Sequence, residues 1–222
     1  MAINAAEEET IEELKKWWED NGRNLILTVV VILAMGTSWL VWQNSQIAAA
    51  DGASDLYEDI LSIAVAEPGS EVSAEDGAEI LSLADELRTD YSDSVYALFG
   101  SLFSAQQQVR TNELAGAEAS LQWILDNKKD GMFERTDEGL ILTASLRLGR
   151  VILAQGDVER ALNLVNNLDP KSFEPGFAEL RGDIYAAMGR MVDAREAYRA
   201  AQQAGSNSDG LRMKLEDLSI ES

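Results

Sequence analysis

"LRLGRVILAQGDVERALNLVNNL", residues 146–168, and "ELRGDIYAAMGRMVDAREAYRAA", residues 179–201, follow one plan. Gly149 falls on Gly182, Ile152 on Tyr185, Gly156 on Gly189, Ala161 on Ala194 and Val165 on Tyr198, each pair 33 residues apart. A fainter copy lies 44 residues upstream of the first, with Ala105, Asn112, Ala117 and Leu121 at the places of Gly149, Gly156, Ala161 and Val165. Each position has a physical reading. Gly149, Gly182 and Ala105 are small where two antiparallel helices of one unit approach closely. Gly156, Gly189 and Asn112 are residue types that take the left-handed conformation closing a helix. Asp157 can cap the helix that follows. Ala161, Ala194 and Ala117 let the second helix nestle on the first, while Ile152/Tyr185 and Val165/Tyr198 fill the space between units.

This order of small, large, turn, small, large resembles the tetratricopeptide (TPR) pattern, whose period is about 34 residues. It covers 143–204, with the weaker copy at 97–125. An ankyrin array has a similar period but carries a T-P-L-H signature, and this chain has no histidine. An irregular helical bundle is the remaining alternative. The expected fold is all-α: one N-terminal transmembrane helix, then a TPR-like helical solenoid. Pro68, Pro170 and Pro175 mark breaks, and no run alternates apolar and polar as a half-buried strand would. In "SDGLRMKLEDLS", Leu211, Leu215 and Leu218 share one face, as a terminal capping helix requires. Helices near 53–66 and 74–89 are expected to cover the opposite end.

Upstream lies the apolar stretch. No Lys, Arg, Asp or Glu occurs between Arg23 and Asp51, and Leu25 to Trp42 is interrupted only by Thr28, Gly36, Thr37 and Ser38. As a helix that run is about 27 Å long, close to the thickness of a bilayer's hydrocarbon core. Trp39 and Trp42 flank one end and Trp17 and Trp18 the other, where indole rings favour the headgroup region. A cleaved signal peptide is the competing reading, with Ala48-Ala49-Ala50 as its site. Against it, acids outnumber bases before the run, whereas a signal's first segment is basic, and the run exceeds the usual ~7–15 apolar residues. A buried core helix would seldom carry so long an uncharged run. The retained single-span anchor is favoured, lying in the lipid bilayer. Lys15, Lys16 and Arg23 precede the span and the next base is Arg88, so the N-terminus is expected in the cytoplasm.

Ahead of the span, Thr10-Ile11-Glu12-Glu13 fits a capping box, and Asn21-Gly22 is suited to end a short amphipathic helix. Residues 1–9 have the composition of a disordered tail. The expected organisation is therefore 1–23 acidic tail and amphipathic helix, 24–43 transmembrane helix, and 44–222 exported domain.

Composition narrows the chemistry. Without cysteine or histidine there is no disulfide, no thiolate or imidazole nucleophile, and no Cys- or His-based metal site. The formal charge is −21, and Asp51 to Gly100 holds Arg88 as its only base, which repels nucleic acid. Solubility is the plain reading of that acidity, and a basic partner the sharper one. Neither a cofactor nor a metal is expected. Catalysis by paired carboxylates is chemically possible, but no acid stands in a motif. A non-enzymatic, partner-binding protein is expected.

The order of parts resembles the YfgM family, ancillary subunits of the bacterial SecYEG translocon. "EELKKWWEDNGRNL" before the span, the two repeat stretches quoted above and the "LRMKLEDLS" ending carry the resemblance. It implies a single-pass protein of the bacterial inner membrane with a periplasmic TPR-like domain. It also implies association with SecYEG and with PpiD, a periplasmic chaperone that receives emerging clients, and restraint of the response regulator RcsB from the cytoplasmic side. An anchored scaffold for envelope assembly, unrelated to the translocon, is the alternative.

Helical-repeat solenoids bind partners along the first helices of their units. By the register above, the candidates are Phe99 and Leu102, then Leu146, Arg150 and Leu153, then Glu179 and Asp183. Phe103, Tyr96 and Trp123 are nearby aromatic anchors, with core packing as the alternative for every apolar member. For Arg150 and Glu179 the alternative is ordinary solvated charge. In the span, Ala34 and Ser38, with Gly36 between them, offer small residues to another membrane helix.

Overall fold

The computed structural model describes residues 3–65, 72–131 and 135–220, and the side chains of 10–218 within those ranges. Pro68 lies outside them. The chain forms two compact units, 1–52 and 53–222.

Helix α1 (Ile3–Val65) carries the first unit. Its apolar run, of mean hydropathy 2.2, is wholly exposed, and among the described residues it is the one segment long and apolar enough to cross a membrane. Thr28 Oγ1 donates to Asn24 O (2.8 Å) and Thr37 Oγ1 to Leu33 O (2.9 Å), so these hydroxyls need no water. Two expectations are corrected here. Thr10 does not start a helix, because α1 already begins at Ile3, within the stretch read as a disordered tail. Asn21-Gly22 ends nothing, because the helix runs straight through with no positive φ at either residue. A helical Gly costs only about 1 kcal/mol, which the surrounding helix outweighs. Gly22 instead accommodates the Trp18 ring one turn back: a Cβ at 22 would lie 3.1 Å from Cδ2.

The second unit starts with the last turns of α1, from Ala53. There follow α2 (Ala74–Asp90), α3 (Val95–Arg110), α4 (Leu114–Asp126), α5 (Glu138–Ala154), α6 (Val158–Asn166), α7 (Glu174–Ala187), α8 (Met191–Gln203) and α9 (Asp209–Ile220). Neighbours in sequence pack on one another from α2 to α9, and α5 also meets α7. The repeat units are α3/α4, α5/α6 and α7/α8.

Side-chain oxygens start α2, α3, α5, α6 and α9. Ser73 accepts from Asp76 N, Ser94 from Tyr96 N, Asp137 from Leu140 N, Asp157 from Arg160 N and Ser208 from Leu211 N. Pro175 sits in the first turn of α7, where its missing N–H costs nothing. The turns inside the three units share one geometry. Asn112 (φ 62°), Gly156 (φ 87°) and Gly189 (φ 74°) are left-handed, as the register requires. The following N–H groups, of Glu113, Asp157 and Arg190, return to the carbonyls of Gln108, Ile152 and Tyr185.

The small residues act as expected, with one change of partner. Gly182 faces Tyr198 of its own unit, whereas Gly149 faces Leu180 of the next unit more closely than Leu164 of its own. Tyr198 therefore packs on Gly182 of its own unit as well as against α9, the element that follows. The main core joins α3 to α7, through Leu98, Leu121, Leu148, Val165, Leu180 and Ile184 among others. Each such side chain, fully buried, contributes roughly 1.5–3 kcal/mol. A second core unites Ala53 and Ile60 of α1 with Ile80, Ala84 and Leu87 of α2 and Ala97 of α3, closing one end. At the other end Leu211, Leu215 and Leu218 of α9 cover Ala178, Ala194 and Tyr198.

Candidate functional site

The first helices of the units, α3, α5 and α7, carry every candidate from the repeat register, and their surroundings differ. Phe99 is half-buried beside Tyr57 of α1, with ring centroids 5.8 Å apart, and Tyr57 also meets Tyr96 (5.3 Å) and Phe103 (6.2 Å). Three aromatic candidates thus hold α1 to α3. Trp123 packs against both larger cores. Leu102 and Leu153 are half-buried against the main core, and Leu146 lies over Gly176 at the start of α7.

Glu179 and Asp183 face an element of their own chain. Lys214 of α9 places its Nζ 2.9 Å from Glu179 Oε1 and 2.7 Å from Asp183 Oδ1, and Tyr198 Oη donates to Asp183 Oδ1 (2.8 Å). Burial pulls the Lys214 ammonium down, but its hydrogen bonds to the two carboxylates outweigh that and raise it overall. Burial, then the bond to Asp183, raises the Tyr198 phenol strongly. Glu179 is therefore no ordinary solvated charge. The capping helix draws it into an ion cluster, because α9 brings a lysine to the turn of α7 that carries both acids.

Arg150 has a different setting. It lies on the rim of a 380 Å³ cavity between α3, α4 and α5. Leu121 and Val151 form the buried floor, Ala105 and Leu114 the wall, and Gln106, Arg110 and Arg147 stand with Arg150 at the edge. Desolvation against that wall, then the like charge of Arg150, push the Arg147 guanidinium below its ordinary value. Across the back, Arg160 of α6 binds Glu118 of α4 through two nitrogens (2.8 and 3.0 Å), and Gln155 Nε2 donates to Leu114 O (3.1 Å). The arginine bond holds the Glu118 carboxyl below the usual carboxylate range.

The family model for a tetratricopeptide repeat-like domain matches residues 15–220. The chain belongs to that family. The match takes in most of the long N-terminal helix as well as the repeat units of this tetratricopeptide repeat-like protein. Its relatives include the ancillary SecYEG translocon subunit of Haemophilus influenzae, 29% identical over 98% of this chain and 100% of that one. Proteins of the same name from Escherichia coli (28%, 99% and 100%) and Neisseria gonorrhoeae (27%, 98% and 100%) match along their whole length too. No solved structure matches.

Within the tetratricopeptide repeat-like unit, the residues that sequence reasoning misses are Gln106, Val109, Arg110 and Arg147. The 44-residue register puts Gln106 opposite Arg150 and Val109 opposite Leu153, a signal that could have found them. Arg110 and Arg147 have no repeat signal, since only the packing of α3 and α5 on α4 brings them to one cavity. Among the described residues, no cluster of three or more metal-ligating side chains occurs. In the apolar helix, Ala34 and Ser38 line a shallow groove with Trp39 and Trp42, but Gly36 is not part of it. Two residues are a rotation of about 200°, so Gly36 faces the other side.

Proposed function

We propose that this protein is a non-enzymatic ancillary subunit of the SecYEG translocon, held in the bacterial inner membrane by the apolar part of α1. Its N-terminus is cytoplasmic and its repeat unit periplasmic, an orientation supported by Lys15, Lys16 and Arg23 ahead of the span. The repeat unit binds partner proteins and passes emerging secretory chains to a periplasmic chaperone of the PpiD type. The cytoplasmic segment restrains RcsB. These two finer roles rest on the family resemblance alone. Partner binding uses the face with Arg150, Leu146 and Leu153 at its centre.

The observation that carries the reading is likeness to the named translocon subunits over 98–99% of this chain, through the anchor and the repeat unit alike. Mild-detergent purification of the full chain from native membranes, followed by mass spectrometry, tests it. SecY, SecE and SecG should copurify with the full chain, and removal of residues 1–50 should deplete them. Recovery of other envelope proteins without any translocon subunit would leave an anchored scaffold instead.

A further inference from the structure

The chain carries 39 acids against 18 bases, and about half of the bases in the repeat unit lie close to a carboxylate. Arg88, Arg181 and Arg190 each meet one, and Arg160, Arg212 and Lys214 each meet two. The three arginines around the α3/α4/α5 cavity do not, among the described residues. Arg147 and Arg150 lie one turn apart on α5 with each other's charge as neighbour, and Arg110 donates to a backbone carbonyl, that of Val72 (3.2 Å). Two guanidinium groups set side by side repel, and repulsion is strongest where the wall excludes water. In a sequence so rich in carboxylates, a local arrangement that leaves them unpaired is complementary to a negative group from outside. Below the charges lies an apolar floor of Leu121 and Val151, walled by Ala105 and Leu114 and lined also by Val109 and Ala154, in a space of about 380 Å³.

We infer that this cavity takes an apolar side chain from a partner polypeptide segment, with a neighbouring Glu or Asp of that segment held by Arg147 and Arg150. The apolar floor supplies contact area and the arginines select charge, a division common to small binding pockets. Arginine suits the role because its planar fork can hold both carboxylate oxygens. The same rim repels Lys- and Arg-rich segments, so selection works in both directions. The inference rests on the reading of the repeat unit as partner-binding, and not on which complex the anchor joins.

The test uses the full chain in phosphatidylcholine nanodiscs and a short fluorescein-labelled peptide of leucine and glutamate, read by anisotropy. The same peptide with glutamine for glutamate is the neutral probe, and oleate is the competitor. The glutamate peptide should bind at least about tenfold more tightly than the glutamine one, a difference of about 1.4 kcal/mol, and added salt should weaken it. The R147Q/R150Q variant should lose that preference and R147K/R150K keep part of it, both with unchanged thermal melts. Equal binding of the two peptides, no binding of either, or an unaltered R147Q/R150Q variant overturns the inference. So does oleate binding in the peptide's place, which would make the cavity a lipid site. Copurification of SecYEG separates the two readings. If it persists while the peptide result fails, only the cavity chemistry falls; if the peptide binds and SecYEG is absent, only translocon membership falls.

Discussion

Gly182 of α7 lies directly against the ring of Tyr198 of α8: a Cβ at position 182 would come within 2.3 Å of Cδ1 and Cε1. The tyrosine is held there from its far end, where its hydroxyl donates to Asp183 (2.8 Å). Ring and glycine together set how closely the last repeat unit closes. Gly182→Ala gains up to about 1 kcal/mol of helix propensity but must displace the ring, and overpacking costs about 1–3 kcal/mol. Thermal denaturation of the full chain should show net destabilisation. In a Tyr198→Ala background the same substitution should become neutral or stabilising, and a loss there as large as in the wild type would refute the contact.

The left-handed turns make an independent prediction. Gly156→Ala and Gly189→Ala place a Cβ at φ 87° and 74° with open space around it, so the cost is backbone strain alone. Each should lower stability by about 1 kcal/mol, and by similar amounts, since the turns are equivalent. Asn112→Gly, at φ 62°, should be neutral or slightly stabilising. Unequal losses at the two glycines, measured by denaturant titration, would mean that the repeat turns are not equivalent.

Lys214 ties α9 to α7 with its pKa raised above the ordinary 10.5. A group whose folded pKa is raised stabilises fully below its unfolded value and loses that contribution as pH climbs through the folded one. Tyr198, also raised, acts in the same direction. Lys214→Met should cost about 1–2 kcal/mol near neutrality, less than a fully buried pair because the lysine is 35% exposed. Melts of wild type and variant should differ by a constant amount up to about pH 10 and converge above the lysine's raised value. A difference that survives strongly alkaline pH would contradict the ion cluster.

Glu118 works the opposite way. Arg160 holds its carboxyl below 4.5, so its contribution is present above that value and disappears as pH falls through the depressed folded pKa. Glu118→Gln should cost about 0.5–1 kcal/mol at neutral pH, the scale of a partly exposed bidentate pair. That cost should shrink to nothing in acid. A loss unchanged at low pH would assign the effect to packing.

Positions governed by local backbone rules are legible in the amino-acid sequence. Asn112, Gly156 and Gly189 can be assigned because few residues tolerate a positive φ, and Asp157 because a capping carboxylate has a fixed offset from its helix. The same rules mislead at Asn21-Gly22 and Thr10, since turn and cap residues are also tolerated inside a helix when strong helix formers continue on both sides. Contacts set by stacking are not legible. Nothing in the sequence announces that Leu180, and not Leu164, lies nearest Gly149, that Tyr57 reaches Phe99, or that Lys214 answers Glu179. The repeat register finds Arg150, whereas Arg147 lies off it and joins the cavity only through the packing of α5 on α4. Sequence distance groups Gly36 with Ala34 and Ser38, and helical rotation separates them.

The central claim is that the anchor lies beside the translocon, and a photo-crosslinker placed in the span tests it without detergent. Benzoylphenylalanine at Ser38, on the shallow face shared with Ala34, Trp39 and Trp42, would be irradiated in native membranes, with position 36 on the opposite side as the control. The account predicts an adduct with SecY, SecE or SecG from Ser38, stronger than from 36. Adducts only with lipid or with unrelated membrane proteins at both positions would contradict it.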